Sequence, residues 1–534
     1  MNRLVYPLLA LLAGAVSLDL LPANAMATAF AESLRSDGTE EGESKGAPRL
    51  VVFVSVSELR TDLLELTLGE SGGAGLLTEG RYYPAVFHPL LSADEAASQA
   101  ILHSGALALE NGIPARRPLR RLKSGIPDRS RSVLSDESAS GLGTRDGFSP
   151  RGLLSAVLGD RIKEATGGRG LVYSVAVRPE EAIIAGGSEA DGVFWIDETR
   201  GDWASSGYYP AKLPWYITKL PSPRVKLLKG TAWKPHFQDF EDKYGRWSLS
   251  GASTPFDHSL KRAEAYLNTP LSQEEVTEAA LALLESAGLG TDGATDYLAL
   301  TYSLDVPDDL APGDLSPEVM DGYYRLEEEL KRLRKRLPKE TILILAGNGM
   351  ERHKAPEERE NRVFYLDKCK ALTNLYLDTK YGVKGLVKEL TEEGQLYLDE
   401  SLIKSRRISE EGIREEVAAF LGEFAGVAYA FPESELRRVA LSGDGSRKLL
   451  TAANSVLPKE RGDVVFGLHE SFSYGQSDRP GGHTRSPQYG GIISPLIIIG
   501  GAVEPEKVTA PTDLRRVPEI VARVLRIRPP TASM

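Results

Sequence analysis

The chain has 534 residues, with 64 Lys+Arg against 75 Asp+Glu and a formal charge of −11, and 41% hydrophobic residues, an ordinary share for a folded globular protein. The acidic balance argues against nucleic acid as the main partner, because it leaves no domain-wide basic face. A single cysteine, Cys369, excludes an intramolecular disulfide and a cysteine zinc cluster, and the seven histidines are scattered.

Residues 1–25 read as a signal peptide. Arg3 supplies the positive start, Leu4 to Val16 the apolar stretch, and Ala23-Asn24-Ala25 the small-residue cleavage site. Asp19 and Pro22 interrupt that stretch short of the ~20 residues a span needs, and no later apolar run is long enough to cross a bilayer. The expectation is an exported, periplasmic protein with no transmembrane span after cleavage. Residues 26–47 read as a flexible linker, and residues 48–530 as one α/β domain.

Leu50–Val56 is a nearly continuous apolar run, as expected of a strand buried on both faces of a parallel sheet. Similar runs recur at Leu171–Val177, Tyr297–Tyr302, Ile342–Leu345 and Leu496–Ile499. Between them, Tyr323, Leu326, Leu330, Leu333 and Leu337 form an amphipathic helical stripe. Strands alternating with helices predict a doubly wound, mostly parallel sheet with helices on both faces. Insertions are expected near 115–150, which is Arg/Ser/Gly/Pro-rich, and near 200–260, which holds four of the five tryptophans and reads as a cap. A third, helix-rich one is expected near 365–460.

Standard catalytic signatures fail on context. Gly69-Glu70-Ser71-Gly72-Gly73 has the letters of a nucleophile elbow but follows a helical pattern, not a strand. Gly288-Leu289-Gly290-Thr291-Asp292-Gly293 joins helix to strand, the reverse of the dinucleotide-binding order, and reads as a helix stop. Gly347-Asn348-Gly349 reads as a turn, the Asp94-Glu95 pair as an exposed helix start, and Asp305, Asp308 and Asp309 as a polar turn. Cys369 reads as a buried, inert side chain, and His353, His469 and His483 as surface residues.

The block Ala190-Asp191-Gly192-Val193-Phe194-Trp195-Ile196-Asp197, with Gly201, Trp203, Ser206, Tyr208-Tyr209 and Leu213-Pro214-Trp215, resembles a specific pattern. It is that of the exported PafA-type branch of the alkaline phosphatase superfamily, which includes nucleotide pyrophosphatase/phosphodiesterase relatives. Thr254-Pro255-Phe256, Thr295-Asp296-Tyr297-Leu298-Ala299 and Ser486-Pro487 extend the resemblance toward the C-terminus. The resemblance implies two zinc ions held by Asp and His, and a metal-activated Thr or Ser nucleophile.

Aligned without gaps, the matched motifs lack that chemistry. The V-D-Q ligand falls on Val56-Ser57-Glu58, and the nucleophile of T-C-P-G-H-A-S-I-Y-T-G on Glu95. H-G-I falls on Asn111-Gly112-Ile113, and D-Y-I-G-H on Val306 to Leu310. T-A-D-H-G puts Gly347 and Asn348 at two ligand positions, and D-T-H-V-P puts Ile493 where His belongs. The phosphoryl-clamping Lys and Arg fall on Arg178 and Glu180. The expectation is a chain with no cofactor, its zinc lost, binding or scaffolding an unidentified cell-envelope protein or ligand. Two alternatives stand beside it: an active phosphate- or sulfate-ester hydrolase with a rebuilt metal site at Glu95 and residues 305–309, and an anion-binding module using Arg178 and Arg485.

Overall fold

The computed structural model describes residues 47–531, apart from 71–74, 91–94, 122–126, 129–130, 211, 248–254, 307–315, 349–361, 456, 458–460, 470, 479–483 and 486–492. The expected signal peptide and residues 26–46 of the linker lie outside the described residues, as do Asp94, Asp308, Asp309, Leu310, His353, His483 and Ser486-Pro487.

The five apolar runs all become strands of one mixed sheet. In chain order its main strands are β1 (Leu50–Ser57), β2 (Arg81–Phe87), β3 (Val172–Ala176), β4 (Gly192–Ile196), β5 (Trp203–Ser206), β6 (Asp296–Ser303), β7 (Thr341–Asn348) and β8 (Ile493–Ile499). Their spatial order is β2-β8-β7-β1-β6-β3-β4-β5, with short strands added at both edges. The stretch from β7 to β4 is parallel, whereas β8 runs against β7 and β5 against β4. Apolar runs without alternation form here because both faces are covered.

One face packs Val52, Val54 and Val56 against α1 (Thr61–Glu70), with Leu63 and Leu64 in the same core. The other packs Val51 and Phe53 against α2 (Glu95–Ser104) and α3 (Pro179–Gly186). The stripe from Tyr323 to Leu333 lies on α4 (Pro317–Arg334), capped by Ser316, whose side chain accepts the Val319 N–H. Helix Ser272–Ser286 stops before Gly288, which takes the left-handed φ of 71° expected of a helix stop.

The third insertion holds strands as well as helices. Between its helices, strands Val387–Leu390, Gln395–Leu398, Val464–Leu468 and Val427–Pro432 form a separate antiparallel sheet, with Cys369 in its core. Those strands are four to six residues long, so short apolar stretches between long helices carried little periodic signal. Burial pushes the Cys369 thiol up to about 12, in keeping with an inert core side chain.

Part of the 200–260 segment is pinned to α4 by one buried carboxylate. Asp321 accepts hydrogen bonds from Trp233 Nε1, the His236 N–H and Tyr244 Oη, each at 2.7 Å, and from Arg325 Nε at 2.6 Å. Trp215, by contrast, is 64% exposed.

Candidate functional site

Strand register builds the site. Ser57 at the end of β1 lies beside Ser303 of β6 and Asn348 of β7. Residues paired in register point to the same face. Two positions earlier on that face, Ser55 lies beside Thr301 and Ala346, and Gln99 of α2 donates to Ser55 Oγ and Thr301 Oγ1, each at 3.1 Å. The row Ser57–Ser303–Asn348 therefore faces α2 at the carboxyl edge of the sheet, the usual place for ligands in open α/β sheets. Gly347 and Asn348 are part of β7, not a turn beyond it.

Glu95 is the first residue of α2, and it is mostly buried, not exposed as its helix-start position suggests. Glu58 follows Ser57 directly, held at φ 59° with its N–H donating to the Asn348 carbonyl at 3.1 Å. Glu58, Glu95 and Asp305 each place one carboxylate oxygen within 4.8 Å of the others, the one such acidic or histidine group among the described residues. Arg178, leading into α3, reaches the same point. Its Nη1 lies 3.1 Å from both Glu95 Oε2 and Asp305 Oδ2, and 3.9 Å from Glu181 Oε1. Its Nη2 donates to Asn268 Oδ1 at 2.6 Å.

The electrostatics follow from crowding carboxylates in a dry place. Burial, then the Asp305 charge, pushes the Glu95 carboxyl well above its ordinary range, against the pull of Arg178. Burial also acts to raise Asp305, but Arg178 and side-chain hydrogen bonds outweigh it and hold that carboxyl below its usual value. Burial raises Glu181 too, opposed by Arg178. The crowding thus favours the neutral form at Glu95 and the ionised form at Asp305, with the guanidinium reaching both.

The other aligned positions divide. Gly347 sits against Ser494, whose Oγ bonds His88 Nε2 at 2.9 Å, and Ile493 lies next to it at the exposed start of β8. Asn111 stands apart, spending its side chain locally on the Ala106 carbonyl and the Ile113 N–H. Glu180 is buried and raised by that burial, with Arg116 and Ser132 opposing. Val306 packs against the core on the opposite face, so Asp305, one residue earlier, is the group that reaches the cluster. Asp305 is an ion-paired group, not a residue of a solvated turn. Arg178 is committed to carboxylates, which removes it from the anion-binding role set out above.

Glu58, Glu181, Asn268 and Gln99 were not singled out from the sequence. A signal existed for the first: Ser55, Ser57, Thr301 and Ser303 place polar side chains at alternate positions of otherwise apolar strands, marking one face as polar toward the carboxyl edge.

The described donors do not match a two-zinc site. Zinc is held by Cys, His and carboxylates, whereas Ser57, Gly347, Asn348 and Ile493 offer a hydroxyl, nothing, an amide and an alkyl group. Ser57 Oγ and both side-chain polar atoms of Asn348 are buried without a hydrogen-bond partner among the described residues.

No family model matches the chain. It is 23% identical over 536 residues to the alkaline phosphatase PafA of Elizabethkingia meningoseptica, covering 93% of this chain and 95% of that protein. It is 24% identical over 520 residues to the alkaline phosphatase PhoV of Synechococcus elongatus, covering 91% and 92%. The crystal structure of wild-type alkaline phosphatase PafA superposes with a TM-score of 0.74 at 20% identity, over 92% of this chain and 98% of that one. With near-complete coverage in sequence, the chain is similar to the PafA-type alkaline phosphatases, and it shares their fold.

Proposed function

We propose that this protein keeps the alkaline phosphatase fold without two-zinc phosphoryl transfer, and that it acts as an exported binding or scaffolding protein of the cell envelope. The observation that carries this reading is the donor chemistry at the carboxyl edge. Removing even one supporting partner of a metal ligand costs about 10–100-fold in affinity. Here the aligned ligand positions themselves hold Ser57, Gly347, Asn348 and Ile493. Export rests on the signal-like first 25 residues; among the described residues no helix is long and apolar enough to cross a membrane.

A second reading, an ester hydrolase with a rebuilt metal site, is favoured by the convergence of Glu58, Glu95 and Asp305 and by the phosphatase names of the relatives. An oxygen-only donor set of this kind suits Mg²⁺, Mn²⁺ or Ca²⁺ better than zinc.

Elemental analysis of the purified protein, together with hydrolysis assays on nitrophenyl phosphomonoester, phosphodiester and sulfate substrates, separates the two. The first reading expects no stoichiometric zinc and no turnover. Bound zinc with turnover that disappears in Ser57→Ala or Asn348→Ala overturns it. Turnover that needs Mg²⁺ or Mn²⁺ and is lost in Asp305→Asn establishes the second reading in its place.

A further inference from the structure

We propose that Arg178 takes the place of an active-site cation: its guanidinium neutralises the carboxylates gathered at the carboxyl edge, and removing it uncovers a divalent-cation site formed by Glu58, Glu95 and Asp305. The proposal rests on the reading of this cleft as zinc-free and says what replaced the metal.

Three separate observations carry it. The first is position. Continuing the register of β6 and β3, in which Ala299 lies beside Ser174 and Thr301 beside Ala176, places Arg178 just past the strand end, on the face of Ser57, Ser303 and Asn348. The second is geometry. A single nitrogen, Nη1, lies 3.1 Å from one oxygen of Glu95 and 3.1 Å from one oxygen of Asp305, bridging two carboxylates as a shared ion would. Asn268 Oδ1 accepts from Nη2 at 2.6 Å and anchors the guanidinium on its other arm, with Glu181 Oε1 3.9 Å from Nη1. An arginine suits this task because it stays charged and presents a rigid fork of donors.

The third observation is the donor set left over. Ser57 Oγ and Asn348 Oδ1, both almost fully buried, have no hydrogen-bond partner among the described residues and border Glu58 at the ends of β1 and β7. Buried polar atoms normally find partners. The three converging carboxylates, with these oxygens at the adjoining strand ends, offer oxygen donors alone, the kind that hard cations take.

The deciding experiment measures Mn²⁺ binding, by the loss of the free-ion EPR signal and by thermal shift, in wild type, Arg178→Ala, Arg178→Lys and the double variant Arg178→Ala/Asp305→Asn. Wild type and Arg178→Lys are expected to bind no Mn²⁺ at this site. Arg178→Ala is expected to bind a single Mn²⁺ per chain, about tenfold or more tighter than any residual binding in wild type. It should also recover part of its lost melting temperature, and the double variant should lose both effects. Should Arg178→Ala not fold alone, refolding from urea with and without millimolar MnCl₂ reads the same property, as soluble protein recovered only with the ion.

Two results overturn the proposal. One is Mn²⁺ binding by wild type that Asp305→Asn abolishes, which makes the cluster a metal site beside Arg178. The other is an Arg178→Ala protein indifferent to Mn²⁺, whether in binding or in refolding. Failure of the zinc-free reading looks different: it shows as zinc and turnover in the wild-type protein.

Discussion

Gly347 tests whether the carboxyl edge has room for a ligand side chain at this position. A methyl group added there would overlap Ser494 Cβ and meet Ser494 Oγ at 3.0 Å and the Leu59 carbonyl at 3.2 Å. These neighbours belong to β8 and to the backbone leaving β1, so neither can swing aside as a surface side chain would. Overpacking of this kind costs about 1–3 kcal/mol. Pushing Ser494 away also strains its 2.9 Å hydrogen bond to His88, worth about 1 kcal/mol. Against this, replacing glycine restricts the unfolded chain and returns about 0.4–1 kcal/mol. The net for Gly347→Ala is therefore a loss of about 2 kcal/mol. Urea unfolding followed by far-UV circular dichroism measures it. Ser494→Gly in the same chain should recover most of the overlap cost, giving a coupling of about 1 kcal/mol or more in a double-mutant cycle. A Gly347→Ala protein as stable as wild type, or one that Ser494→Gly does not relieve, refutes the steric argument. Gly347→Asp with Asn348→His is likewise expected to bind no zinc, because the aspartate has no room.

Two further predictions concern the frame around the site. Asp321→Ala removes a buried acceptor of four hydrogen bonds and strands Arg325, Trp233 and Tyr244. The expected loss is about 3–5 kcal/mol by urea unfolding, with tryptophan fluorescence reporting Trp233; a loss below about 1 kcal/mol would show that the carboxylate does not anchor the cap. Burial depresses His88 to about 4 and His103 to about 3, both below the ordinary 6.5, and His103 Nε2 has no partner to accept its proton. A depressed folded value means that their stabilisation is complete above 6.5 and is lost as pH falls below it, because the unfolded chain takes up the protons first. Each ring then contributes a slope of up to about 1.4 kcal/mol per pH unit. His103→Gln should flatten the fall in stability between pH 6.5 and about 3 by that amount; an unchanged slope counts against a buried neutral imidazole.

Much of the sheet was legible because strands buried on both faces leave an unmistakable mark. Leu50–Val56 and its four counterparts are apolar without alternation, and they became β1, β3, β6, β7 and β8. The positions of the site were partly legible too. Motif matching led to Ser57, Glu95, Arg178, Gly347, Asn348 and Ile493, which fall at strand ends or at the start of helices beside them. The chemistry of the site was not legible. Glu95 looked like a solvated helix start because a dipole-favoured acid at that position is common, and nothing local says that a sheet edge covers it.

What the sequence determined by itself was therefore a parallel-rich α/β sheet and a single cysteine placed in the core. Only the tertiary structure decided that Asp305, not Val306, reaches the cleft, and that Glu58, Glu95 and Asp305 converge on Arg178. The physical reason is range. Strand propensity and apolar periodicity act over a few residues, and one sequence suffices to read them. The ion cluster joins residues 83 and 127 positions apart, and which charge lies against which is set by strand register and helix placement.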